Sequence, residues 1–157
     1  MLKKSVLTLA AVGLLAAAVA LPPAVQAQNF PDSVRKLVAD AKKQVPLIKM
    51  DAFRAGLDKK TLGLIVDVRD PDEFAAGHIP GAINVSRGLI EFRIWTHVGF
   101  PDKTDMNKQM TLYCLRGSRC ALAAKSLREL GFTNVTAADM NFDDWVKAGH
   151  PVTKPAK

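Results

Sequence analysis

Cysteine is scarce in this chain: two of 157 residues, Cys114 and Cys120. Two cysteines cannot build the disulfide framework of a mini-protein. They cannot supply a four-cysteine zinc or iron–sulfur site either, and three histidines add little to that case, so no metal is expected. Aromatic residues are only 6% of the chain, and glycine and proline number 10 and 9. That composition excludes collagen, low complexity and wholesale disorder. Acids are fewer than bases, 15 against 22, for a formal charge of +7. The excess favours small anions or acidic surfaces as partners; it does not single out nucleic acid, which is not expected. What is abundant is apolar: 48% of residues are hydrophobic, enough for one sizeable core and one domain.

One long hydrophobic run stands at the start. Lys3 and Lys4 precede an uncharged stretch from Val6 to Leu21, Pro22-Pro23 breaks any helix, and Val25-Gln26-Ala27 offers small residues for signal peptidase. These parts make residues 1–27 a secretory signal. The alternative is an uncleaved anchor, but the run is short and alanine-rich for a span of about 20 residues. The expected product is a periplasmic protein with no stable membrane span after signal cleavage. Both cysteines lie in the mature part and would meet an oxidising compartment.

From there the periodicity alternates. Val34, Leu37, Val38, Ala41 and Val45 recur at helical spacing, predicting an amphipathic helix over 32–45 within an N-terminal extension, 28–47. Residues 48–50 suit a short strand and 51–57 a second helix. The branched apolar run 62–68 suits a buried parallel strand. Pro71-Asp72-Glu73-Phe74 opens a short helix, with proline and acids in its first turn. Strands follow at 82–85, 110–114 and 135–136, and helices at 87–97, 119–130 and 142–148, with a polar connection at 101–107. Strands alternating with helices imply an α/β fold, a small parallel sheet with helices on both faces. A single domain over 48–152 is expected, with a basic tail at 153–157.

The informative segment is Leu112-Tyr113-Cys114-Leu115-Arg116-Gly117-Ser118-Arg119-Cys120. A cysteine ends an apolar strand, and a helix begins a few residues later. Ligands of open α/β sheets gather at the carboxyl ends of strands. A tight loop there turns backbone N–H groups inward beside a helix N-terminus, a cradle for an anion. The same field stabilises a thiolate. Arg116 and Arg119 add cations to the cradle or its rim, and Gly117 permits the tight backbone. The competing reading makes Cys114 an inert core cysteine at a buried strand end.

Cys114-Leu115-Arg116-Gly117-Ser118-Arg119 resembles the Cys-x-x-Gly-x-Arg loop of the rhodanese-like sulfurtransferases. Asp67-Val68-Arg69-Asp70-Pro71-Asp72-Glu73-Phe74 with Gly77-His78-Ile79-Pro80-Gly81-Ala82-Ile83-Asn84-Val85 is similar to that family's upstream signature. Gly131-Phe132, Val135, Trp145, Gly149 and Pro151-Val152 resemble its C-terminal segment. The resemblance implies catalysis by Cys114, whose thiolate takes the outer sulfur of a small anionic donor such as thiosulfate. A persulfide then sits among the N–H groups of Leu115, Arg116, Gly117, Ser118, Arg119 and Cys120, and a thiol or cyanide acceptor removes it. It implies no metal and no organic cofactor. Phosphatases and arsenate reductases carry a loop one residue longer between Cys and Arg; here position 120, where that Arg would fall, is Cys120.

Cys120 departs from the family, which commonly has a small residue there. It is expected either to pair with or resolve Cys114, as a redox partner, or to be a small buried residue without chemistry. Met140-Asn141 stand where the family often has Gly-Gly, and are expected to reshape the rim of the site. Asp67 and Arg69 read as structural, anchoring neighbouring loops by charge-assisted hydrogen bonds. His78 reads as a turn residue bonded to backbone. Residues 86–97, with Arg87, Glu91, Phe92, Arg93 and Trp95, are expected either to wall the pocket or to cover the sheet as a helix. The lysines of 32–45 and of the tail read as solvated, with an acidic partner as one use. Two further functional readings stay open: a periplasmic sulfur-relay module with a protein acceptor, and a thiol–disulfide redox protein using Cys114 and Cys120.

Overall fold

The central strands are mostly apolar toward both faces, and the sheet buries both. In the computed structural model, which describes residues 30–154, five parallel strands form one sheet in the order β1-β5-β4-β2-β3. They are β1 (Leu47–Lys49), β2 (Leu64–Asp67), β3 (Ile83–Asn84), β4 (Met110–Tyr113) and β5 (Val135–Asp139). Residues 1–29, which include the expected signal over 1–27, and residues 155–157 lie outside the described residues.

On one face Val66, Met110, Leu112 and Ala137 pack under α1 (Asp32–Gln44), α4 (Ile90–Arg93) and α5 (Ser118–Glu129), joining Ala41, Ile90, Ile94, Ala121 and Leu127 in one cluster. On the other face Ile65, Tyr113 and Ala138 meet Phe53 of α2 (Met50–Asp58) and Phe142 and Trp145 of α6 (Phe142–Lys147). The period of two sorts these residues, since neighbours along a strand point to opposite faces. Removing a fully buried aromatic such as Trp145 or Phe53 would cost about 3–5 kcal/mol.

Several elements differ from their expected extent. Leu62 and Gly63 fall outside β2, because Gly63 turns at φ +66 against the Gln109 carbonyl. β5 runs three residues beyond Thr136, since burial of Ala137 and Ala138 between helices outweighs the weak strand preference of alanine. Residues 87–97 are not one helix. A single α-helical turn, α4, is flanked by tight turns at Arg87–Leu89 and Ile94–His97. The N-terminal extension belongs to the same core: α1 buries Ala41 completely against the cluster that includes α5, and β1 pairs with β5 in register Leu47 with Ala137. Lys42, read as a solvated lysine, reaches Asp139 at 2.6 Å, and Lys49 binds the same carboxylate. Thr153, read as tail, exchanges two backbone hydrogen bonds with His78.

Candidate active site

The site forms where β4 hands over to α5. β4 ends at Tyr113, next to β2 on one side and β5 on the other, so Cys114 emerges at the carboxyl edge of the sheet centre. The turn back into α5 is made at Gly117, in the left-handed region at φ +74. A Cβ there would lie 3.3 Å from both the Ala138 carbonyl and the Asp139 carboxylate. Glycine suits both requirements, the positive φ and the close approach of β5. The Leu115 carbonyl accepts from the Phe142 N–H at 2.8 Å, which ties the loop to the start of α6.

The Cys114 sulfur is almost wholly buried, yet it lines a pocket of about 290 Å³ with Phe30, Leu115, Arg116, Ser118 and Arg119. Among the described residues that lining holds no acidic side chain. The Cys120 N–H donates to Cys114 Sγ at 3.4 Å, and the two sulfurs stand 3.5 Å apart. Cys114 is lowered to about 6 from an ordinary thiol value of 9.0. The hydrogen bond with the Cys120 side chain is the main cause. Burial opposes it, while the N–H groups of Cys120 and Arg116 and the charge of Arg119 add to it. Cys120 is pushed the other way, well above its ordinary value, by its bond to Cys114 and by burial. The arrangement favours one thiolate, on the sulfur that meets the pocket, and one neutral thiol behind it.

The arginines divide their work. Arg116 is exposed at the pocket rim. Arg119 makes a two-pronged pair with Glu73, at 2.6 and 2.8 Å, and also reaches Asp70 at 3.4 Å. Glu73 is held below the usual carboxylate range chiefly by that bond. Asp70 and Glu73 close a capping box at the start of α3 (Pro71–Ala76), so the pair bolts α3 to the first turn of α5. Arg119 is therefore only in part a free cation for a ligand.

Asp67 and Arg69 form a brace away from the pocket lining. Both are buried, with Arg69 Nη2 2.6 Å from Asp67 and 2.8 Å from the Gly77 carbonyl. The guanidinium lies 4.0 Å from the Phe142 ring centre, stacking the upstream loop on α6. His78 Nδ1 bonds with the Phe74 carbonyl at 3.0 Å, and its ring stacks on Phe74 at 3.7 Å. Met140 is buried in the second core cluster, and Asn141 caps α6 by accepting from the Asp143 N–H. Neither lines the pocket, so the expected reshaping of its rim by these two side chains is not seen. Residues 86–97 do not wall it either: Ile90 and Ile94 are buried over the sheet, Trp95 packs on Phe132, and Phe92 points outward. The aromatic wall is Phe30, before α1, and nothing in the sequence around it signals that place. Glu73 was legible only as an acid in a helix's first turn; its partner is 46 positions away.

A parallel α/β sheet with a buried cysteine in the tight turn from its central strand to the following helix sets the class of this domain. The rhodanese-like domain model matches residues 49–148, and the chain belongs to that family. Among curated relatives it is 28% identical to the "Putative sulfur carrier protein YrkF" of Bacillus subtilis (strain 168), over 64% of this chain and 51% of that one. It is 32% identical to the thiosulfate:glutathione sulfurtransferase of Saccharomyces cerevisiae, over 55% of this chain and 66% of that one. The matches thus span about half to two thirds of those relatives. Among solved structures, RPA3614 of Rhodopseudomonas palustris is 28% identical with a TM-score of 0.66, over 80% of this chain and 98% of that one. It is described as a protein of unknown function and possible tyrosine phosphatase. The polysulfide-sulfur transferase homodimer of Wolinella succinogenes is 28% identical with a TM-score of 0.62, over 79% of this chain and 89% of that one.

Proposed function

We propose that the protein is a sulfurtransferase that carries sulfane sulfur on Cys114. The observation behind this reading is the Cys114 sulfur itself: lowered to about 6, bonded to loop N–H groups, and facing a small pocket with two arginines and no acid. The Cys114 thiolate attacks the outer sulfur of thiosulfate. A new S–S bond forms, the old one breaks, and its electron pair leaves with sulfite. The persulfide's negative charge then lies within the cradle, where N–H groups and the helix terminus stabilise it. An acceptor, cyanide or a thiolate, attacks the outer sulfur and restores the Cys114 thiolate. The names of the yeast and Wolinella relatives support this chemistry, and that of YrkF supports a carrier of sulfur, the role a relay would use.

Phosphate ester cleavage is the less favourable reading. Four residues separate Cys114 from Arg119, and Arg119 is already engaged by Glu73. A tetrahedral oxyanion would find a shorter loop and a committed arginine. Residues 1–27, read as a secretory signal, support a periplasmic site of action for this chemistry.

The test is intact mass of the reduced protein before and after thiosulfate. A gain of one sulfur atom, absent in Cys114→Ser, is expected. A Cys114→Ser protein that gains the same sulfur would overturn the assignment. Rapid transfer to cyanide would favour the small-molecule enzyme over the relay.

A further inference from the structure

We propose that Cys120 is a second catalytic cysteine: its thiol attacks the inner sulfur of a Cys114 persulfide, expels hydrosulfide, and leaves a Cys114–Cys120 disulfide that an external thiol reopens. The proposal rests on the persulfide reading of Cys114.

Position carries the argument. The two sulfurs are 3.5 Å apart, and a disulfide needs about 2.05 Å, so a small approach closes the bond. Each sits on a firm support, one at the end of a central strand and one in the first turn of α5. The Cys120 N–H already bonds Cys114 Sγ, and Cys120 Sγ is held 3.2 Å from the Ala138 carbonyl. The pocket touches Cys114 but not Cys120, which is fully buried. Displacement at sulfur runs in line, with the nucleophile opposite the leaving atom. A persulfide sulfur occupying the pocket leaves the buried side of Cys114 to Cys120. That side is closed to bulk thiols, so a nucleophile there must belong to the chain.

The step balances. The Cys120 S–H proton passes to the departing sulfur, which leaves as hydrosulfide with the electron pair of the broken S–S bond. The sulfane sulfur is reduced by two electrons, and the two cysteine thiols are oxidised to one disulfide. Two low-molecular-weight thiols, or one dithiol, then reduce that disulfide by exchange. Over a full cycle, thiosulfate and two thiols become sulfite, hydrosulfide and an oxidised thiol pair. The same loop thus hands sulfur to an acceptor when one arrives and releases it as hydrosulfide when none does.

The test is a single turnover. The reduced full chain is loaded with thiosulfate, exchanged into buffer free of thiol and cyanide, and followed by intact mass and hydrosulfide trapping. The parent should release one hydrosulfide per loaded chain and end two hydrogens lighter than its reduced form. Cys120→Ser and Cys120→Ala should keep the added sulfur over the same interval. A parent that holds its sulfur as long as Cys120→Ser does would overturn the proposal. So would hydrosulfide release without loss of the two hydrogens. A parent that neither gains sulfur nor loses two hydrogens at the loading step, with a Cys120→Ser variant that gains none either, fails earlier and sinks the reading of Cys114 together with this one.

Discussion

Cys114 and Cys120 are chemically alike and differ only in where they sit. Cys114 receives the hydrogen bonds and borders the pocket; Cys120 supplies a bond and is sealed behind it. A thiol lowered to about 6 is mostly thiolate at neutral pH and loses that form as pH falls through about 6. Alkylation of the reduced protein by iodoacetamide, followed by peptide mass at Cys114, should therefore rise with pH around an inflection near 6. In Cys120→Ala the principal hydrogen bond is gone, and the inflection should move upward; an unmoved inflection would refute that cause. At this scale the sequence was readable where chemistry depends on near neighbours. Cys114 at the end of an apolar run, followed by Gly117, is such a case. It was unreadable where a partner arrives from afar. Arg119 looks like a free cation until Glu73 is found beside it, and Phe30 has no local mark at all.

Among the elements, the joint between β4 and α5 is the most demanding. Gly117 turns at φ +74 with β5 immediately behind it. Gly117→Ala forces a side chain into the left-handed region, at a cost of about 1–2 kcal/mol, and crowds the Ala138 carbonyl at 3.3 Å. Urea unfolding should report that loss, and Cys114 alkylation at neutral pH should slow as the N–H groups turn away. Full stability with unchanged alkylation would contradict the geometry. The strand and helix sequence was legible from periodicity, because both faces of a parallel sheet must be apolar and the helices amphipathic. Residues 86–97 misled for a physical reason. Ile90 and Ile94 share a helical spacing and are both buried, but only one α-helical turn lies between them, and tight turns complete the span. β5 was read short because its added residues, Ala137 and Ala138, owe their place to packing against the helices on either side.

For the whole molecule, long-range ion pairs tie separate parts of the chain to the sheet's carboxyl edge. Lys42 and Lys49 converge on Asp139, and Arg119 on Glu73. Asp139 is held below its ordinary 3.8, mainly by Lys42, and Glu73 below its ordinary 4.5, mainly by Arg119. Because these folded carboxyls are lowered, their stabilisation is present in full above those ordinary values and lost as pH falls below them. The urea midpoint should fall somewhat between pH 7 and about 6, as the lowered Cys114 regains its proton, and fall again below about 5, and Glu73→Gln should remove part of that second fall. A variant whose decline matches the parent's would rule out the Glu73 contribution. None of these pairs could be read from the sequence, since each joins residues dozens of positions apart. The strand order has a consequence for how the chain comes together in time. β1 has a single neighbour in the sheet, β5, which is the last strand to be made. Until Val135–Asp139 is available, Leu47–Lys49 has no edge to join. Parallel pairing across so long a loop delays closure, since the chain must lose the entropy of that loop before the contacts repay it. An unfinished chain therefore leaves Leu47–Lys49 unpaired until its last strand has been made.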